Sequence, residues 1–179
     1  MLAHISDLYQ AIANGRNVLI LSIATLAFIL LTIPIAEAAA AGLNGLDARG
    51  IYTLQEAHAF IAANSPADPH ALRLFYLCVD LIIPLLYASS IALLISWLRK
   101  KTRPVNGHSQ LLNLLPLLAI PFDYLENISI LRLYMAVPAQ PNDLARLAIL
   151  GSRGKFIVVS LSALIVLYTF LARKRAFNK

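Results

Sequence analysis

The chain has 179 residues, 59% of them apolar and 13% charged, with a mean hydropathy of +0.72, whereas soluble domains run at about one half apolar and one quarter charged. That balance excludes a water-soluble globule and a disordered chain, and the length holds four membrane spans of about 20 residues with short connections and no second, soluble domain. The net charge of +6 does not indicate nucleic acid, because the basic residues cluster beside apolar runs, where they act as topology signals and as contacts for anionic lipid headgroups.

Span one is expected over residues 18–41, since the run from Val18 through Ala36 carries no charge. An alternative reading takes Arg16, the apolar stretch, Pro34 and the small residues of 36–41 as a signal peptide with its cleavage site, which would leave three spans. The apolar stretch is long for a signal, so the span is preferred. The first connection, residues 42–70, carries the turn signals Asn44-Gly45 and Arg49-Gly50. Thr53 and Glu56 then have capping-box spacing, opening a short helix that ends before Asn64-Ser65-Pro66. Leu54, Ala57 and Ile61 fall on one face of it, so it should lie along the outer membrane surface or over the bundle mouth.

Span two is expected over 71–98, with Arg73 at its start and Asp80 within. The single cysteine, Cys78, lies there, so no internal disulfide can form. Span three covers 110–136 and contains Asp123 and Glu126. Pro138, Pro141 and the helix cap Asn142-Asp143 form the next connection. Span four covers 147–171 if Gly151 and Gly154 do not stop the helix. Backbone groups in hydrocarbon must be paired within their own segment, so each run is a helix. The expected fold is all-α, a single integral membrane domain built as a four-helix bundle.

With the N-terminus inside, Arg16, Arg99, Lys100, Lys101, Arg103, Arg173, Lys174, Arg175 and Lys179 lie on the cytoplasmic side, against Arg49, Arg73, Arg132, Arg146, Arg153 and Lys155 on the other. The excess, and the dense clusters that abut span ends, place both termini in the cytoplasm. Trp97 and Tyr168 near the inner ends, with Tyr76 and Tyr134 near the outer ends, fit interfacial aromatic belts.

Ionisable groups in hydrocarbon cost a few kcal/mol each, so every one calls for a partner or a role. Glu37, Asp80, Asp123 and Glu126 all fall roughly 5–20 Å below the outer boundary, and Lys155 enters at a similar depth. Asp123, Glu126, Asn127, Ile130 and Tyr134 form one stripe at helical spacing, as do Arg73, Tyr76, Asp80 and Tyr87 on span two and Lys155 with Ser162 on span four. These stripes should face one another around a cavity, helped by the prolines close to the acids: Pro34, Pro84 and Pro121. Asp80 with Lys155 reads as a structural ion pair as readily as a catalytic one. Two acids and an amide on one stripe exceed what packing needs. Glu37, near its span end, can simply reach water.

The run Pro121-Phe122-Asp123-Tyr124-Leu125-Glu126-Asn127, with Tyr76 to Tyr87 before it and Lys155-Phe156 after it, resembles a group of uncharacterised bacterial four-span membrane proteins that share an Asp-x-x-Glu-Asn motif in the third span. The resemblance covers roughly residues 74–170 and implies a small inner-membrane protein, with no catalytic assignment. His4, His58, His70 and His108 lack paired ligand spacing, so no metal or cofactor is expected. Three classes of function remain. The first is binding of a lipid or small amphiphile in a polar cavity of the outer half of the membrane. The second is an enzyme on such a substrate, with Asp123 or Glu126 as general acid or base and Lys155 stabilising negative charge. The third is an accessory or structural protein held by buried ion pairs. Membrane lipids are the expected partners.

Overall fold

The computed structural model describes residues 1–40, 46–64, 69–100 and 107–177, of which 37–40, 47–48, 69, 107–110 and 174–177 are described by backbone alone. Among the described residues the chain is all-α, and four of its helical stretches, Gly15–Ala36, His70–Lys100, Leu111–Met135 and Asn142–Arg173, are long and apolar enough to cross a membrane. The spans read from the sequence are therefore present, with the fourth beginning five residues earlier than expected at Asn142, where Asp143 complements the helix N-terminus. Gly151 and Gly154 do not stop it.

In chain order the elements are α1 (Leu2–Ile12), α2 (Gly15–Ala40), a short 3-10 turn (Leu46–Arg49), α3 (Leu54–Ala63), α4 (Pro69–Leu74), a π-helical turn (Phe75–Val79), α5 (Ile82–Lys100), a 3-10 helix (Gly107–Leu118), α6 (Ala119–Met135) and α7 (Asn142–Phe177). Helices α5, α6 and α7 pack on one another, while α2 lies against α5, α4 and the π turn. Most of the large side chains of α2, from Leu19 to Ile35, are exposed, as a lipid-facing helix requires.

Helix α1 is an element that the hydropathy pattern does not reveal. It crosses the end of the bundle opposite the 46–63 segment, and it turns its polar side inward. Ser6 Oγ donates to Asn113 Oδ1 at 2.9 Å, and Asn113 Nδ2 donates in turn to Ser96 Oγ at 2.9 Å and to the Ser6 carbonyl at 3.3 Å. Lys100 Nζ caps the α1–α2 corner at the Ala13 carbonyl, 3.1 Å away. Trp97 packs beside Gly15 and receives the Arg173 guanidinium over its ring at 5.0 Å. Asn113→Leu should cost about 1–3 kcal/mol, the usual cost of leaving buried hydroxyls unpaired, and should speed amide exchange throughout α1. Unchanged exchange in α1 would show that this latch does not hold the helix.

At the other end, residues 46–63 close the mouth of the bundle. Leu46, Tyr52, Ala57, Phe60 and Ile61 form a core with Leu72, Phe75 and Tyr76 from span two and Ile130, Leu131, Leu133 and Tyr134 from α6. Of the two placements open to α3, the surface of the membrane and the bundle mouth, the structure takes the second. The same packing corrects the outer aromatic belt: Tyr76 and Tyr134 are buried beneath this segment, so neither faces a lipid–water boundary. Tyr168, by contrast, is exposed.

The expected capping box on α3 is present. Glu56 N–H donates to Thr53 Oγ1 at 3.3 Å, and the Thr53 N–H donates to Glu56 Oε2 at 2.7 Å. The Thr53 backbone N–H and hydroxyl, helped by the Arg49 charge, hold the exposed Glu56 carboxyl below the ordinary glutamate range. A carboxyl lowered on folding stabilises at pH above its unfolded value and loses that contribution as pH falls through the folded one. An NMR titration of the Thr53 amide should therefore keep its bonded shift through about pH 4.3 and change only below it. Glu56→Gln should abolish the step, and a step at the ordinary glutamate value would contradict the cap.

Candidate functional site

The site begins with a break in span two. Pro84 has no N–H to offer the carbonyl four residues back, at Asp80, and the chain widens just before that point: the Asp80 N–H reaches the Phe75 carbonyl, five residues earlier, at 2.9 Å. Tyr124 on α6 donates its hydroxyl to the Leu81 carbonyl at 2.9 Å, tying the broken stretch to span three. Asp80, at the end of the wide turn, is buried.

A second local feature sets the spacing of α6 and α7. A Cβ on Gly151 would stand 2.6 Å from both the Glu126 nitrogen and the Phe122 carbonyl oxygen, and Gly154 rests directly on the Phe122 ring. Backbone therefore meets backbone at the level of Glu126. One turn further along, this approach brings the lysine ammonium to the carboxylates. Lys155 Nζ lies 2.6 Å from Glu126 Oε2 and 3.7 Å from Asp123 Oδ1.

Around this pair the polar groups interlock. Tyr87 donates its hydroxyl to Asp123 Oδ2 at 2.7 Å, Asn127 Nδ2 donates to Asp123 Oδ1 at 3.1 Å, and Tyr52 donates to Glu126 Oε1 at 3.1 Å. Two carboxylates thus share one lysine. Glu126 is wholly enclosed and Asn127 nearly so, whereas the Lys155 and Asp123 side chains keep 13% and 8% of their surface exposed. Because a carboxylate can only accept, the Asn127–Asp123 bond fixes the amide orientation. It leaves Asn127 Oδ1 as a buried acceptor with no hydrogen-bond donor among the described residues.

Of the residues expected to form the site, Asp123, Glu126, Asn127, Lys155 and Tyr87 meet, and Asp80 is buried in the turn that Tyr124 ties to α6. Lys155 forms ion pairs with Glu126 and Asp123, because the glycine contact sets α7 on α6. Tyr76 belongs to the core under the 46–63 segment, ring to ring with Phe75. Glu37 lies on the last part of α2, and its side chain falls outside the described residues. The sequence reading missed Tyr52, which enters from a connection with no periodicity. Its one signal is its place between the Gly50 turn and the α3 cap. That placement is fastened by Ser152, whose hydroxyl donates to the Gly50 carbonyl at 2.8 Å, and by the Phe156 ring under Gly50, which has a φ of +81°.

The polar groups are packed against one another rather than lining an open cavity of their own, because Tyr52 and Tyr87 fill the space between the carboxylates and their surroundings. Open volume of about 380 Å³ lies along the α5–α7 seam, lined by Ile91, Leu94, Val159, Ala163, Val166, Leu167 and Phe170. The groove is lined by apolar residues alone, and its first residues on both helices stand in register with the cluster. Ile91 follows Tyr87, and Val159 follows Lys155, by four residues, so each sits one helical turn along the same face. From Val159 to Phe170 the groove runs about 16 Å at the helical rise. Among the described residues no group of three His, Cys, Asp or Glu side chains could hold a metal ion.

Compared with protein-family models, curated proteins and solved structures, the chain finds no match.

Proposed function

We propose that this protein binds an amphiphile, with its polar head at the Lys155–Asp123–Tyr87 end of the cluster and its hydrocarbon tail along the α5–α7 groove. The observation that carries this reading is the one-turn continuity between the two: an apolar groove whose upper wall residues directly follow the polar ones on both helices. A concave, mostly apolar site with a few fixed polar groups at one end is the general form of a small-molecule pocket. The basic clusters near residues 99–103 and 173–175 support a topology with both termini in the cytoplasm of a bacterial inner membrane. On that topology the head group sits in the outer half of the bilayer.

The test is mass spectrometry of small molecules retained by the intact protein, compared with Ala163→Trp, which fills the groove, and with Leu31→Trp on the exposed face of α2. The groove variant should lose a stoichiometric amphiphile that the α2 variant keeps. Equal retention by both, or no retained species in the unsubstituted protein, would refute the reading.

A catalytic reading draws on one feature, the contact of the Tyr52 hydroxyl and the Lys155 ammonium with the same Glu126 carboxylate, a set of groups that can hold and pass a proton. A turnover product of the retained species would favour it.

A further inference from the structure

We infer that the head group this site takes is an ammonium, so that its ligand is an amine-bearing amphiphile rather than an anionic or uncharged one. The inference rests on the amphiphile reading above and narrows it to a chemical class. Its first ground is charge. Asp123 and Glu126 share one lysine, and that lysine is already committed at 2.6 Å to the enclosed Glu126. Of these two, Asp123 keeps 8% of its side-chain surface exposed and has the longer ion-pair contact, 3.7 Å. A cation arriving at the exposed edge therefore meets a carboxylate whose charge Lys155 only partly offsets, and buried charges are normally paired.

The second ground is independent of charge. Asn127, 1% exposed, has its amide nitrogen anchored on Asp123 and its oxygen without a donor among the described residues. Tyr52 and Lys155 donate to Glu126, and Tyr87 donates to Asp123. A buried acceptor of this kind calls for a donor brought by the ligand. An ammonium supplies three donors and no acceptor, matching both the spare carboxylate capacity and the orphan amide oxygen. A phosphate supplies acceptors where acceptors already stand.

The experiment uses the full chain in neutral detergent and three probes with one tail, dodecylammonium, dodecyl phosphate and dodecyl glycerol ether, competed at equal concentration and read by native mass spectrometry. Dodecylammonium should be retained about tenfold over the glycerol ether, and the phosphate should be retained least. Asp123→Asn should shrink the ammonium preference, and Asn127→Leu should do the same if the first variant fails to fold. Equal retention of all three probes, all lost in Ala163→Trp, would overturn the ammonium inference and leave the amphiphile reading standing. So would preference for the phosphate. Retention of none of them would remove both.

Discussion

Lys155→Met should destabilise the protein by about 3–5 kcal/mol, the usual effect of removing one member of a buried ion pair. The surviving Glu126 carboxylate is fully enclosed and would lose its counter-charge at 2.6 Å while keeping the Tyr52 hydroxyl at 3.1 Å. Most of this cost is that of an uncompensated charge rather than the worth of the pair, so adding Glu126→Gln to Lys155→Met should recover a large part of it. The measurement is a double-mutant cycle on unfolding in detergent, where two groups in contact should show coupling of about 0.5–3 kcal/mol. Additive effects would mean that Lys155 and Glu126 do not form the pair described. The repaired double variant should keep the retained amphiphile, because Asp123 is then relieved of Lys155 and still faces the ammonium head, whereas a head-binding role for Lys155 itself would show as loss of the ligand. That split separates a binding role from a purely structural one.

The second large effect is expected from one methyl group. Gly151→Ala places a Cβ against two backbone atoms of α6, and backbone cannot rotate aside. The helices must separate, at a cost at or above the 1–3 kcal/mol (roughly) typical of overpacking. The separation would also stretch the Lys155–Glu126 contact. Gly154→Ala differs in kind, because its obstacle is the Phe122 ring. Combining it with Phe122→Ala should therefore recover part of the loss. No side-chain truncation should rescue Gly151→Ala, and a rescue of that variant by Phe122→Ala would show that the close approach is not between backbones. Thermal unfolding of the four variants decides the matter.

These residues also show how far the sequence could be read. The stripe of Asp123, Glu126, Asn127, Ile130 and Tyr134 follows from helical periodicity, and all five are buried as a set. Periodicity describes one helix at a time. The choice of Asp123 and Glu126 as the partners of Lys155 depends on the rotation and distance between α6 and α7, which two glycines determine by what they lack. Tyr52 escaped notice because it reaches the site from a connection without a repeating pattern. Helix α1 escaped for the opposite reason: it has helical spacing, but it buries Ser6 and leaves Leu8 and Ile12 outside, against the rule that apolar faces turn to the protein interior in water. In a membrane that rule weakens, since lipid is as apolar as a helix neighbour.

The wide turn at Phe75–Val79 has a consequence for angular phase. A π turn holds one residue more than an α turn, so everything beyond it is rotated by about 100° relative to simple α-helical counting. Tyr76 and Tyr87, eleven positions apart, would be nearly co-facial on an unbroken helix. Across the wide turn their directions diverge, one into the apolar core and one onto Asp123. Deleting a single residue from this turn would bring them back into line and force one of the two tyrosines off its partner. The extra residue thus lets one span serve two neighbours with differing chemistry.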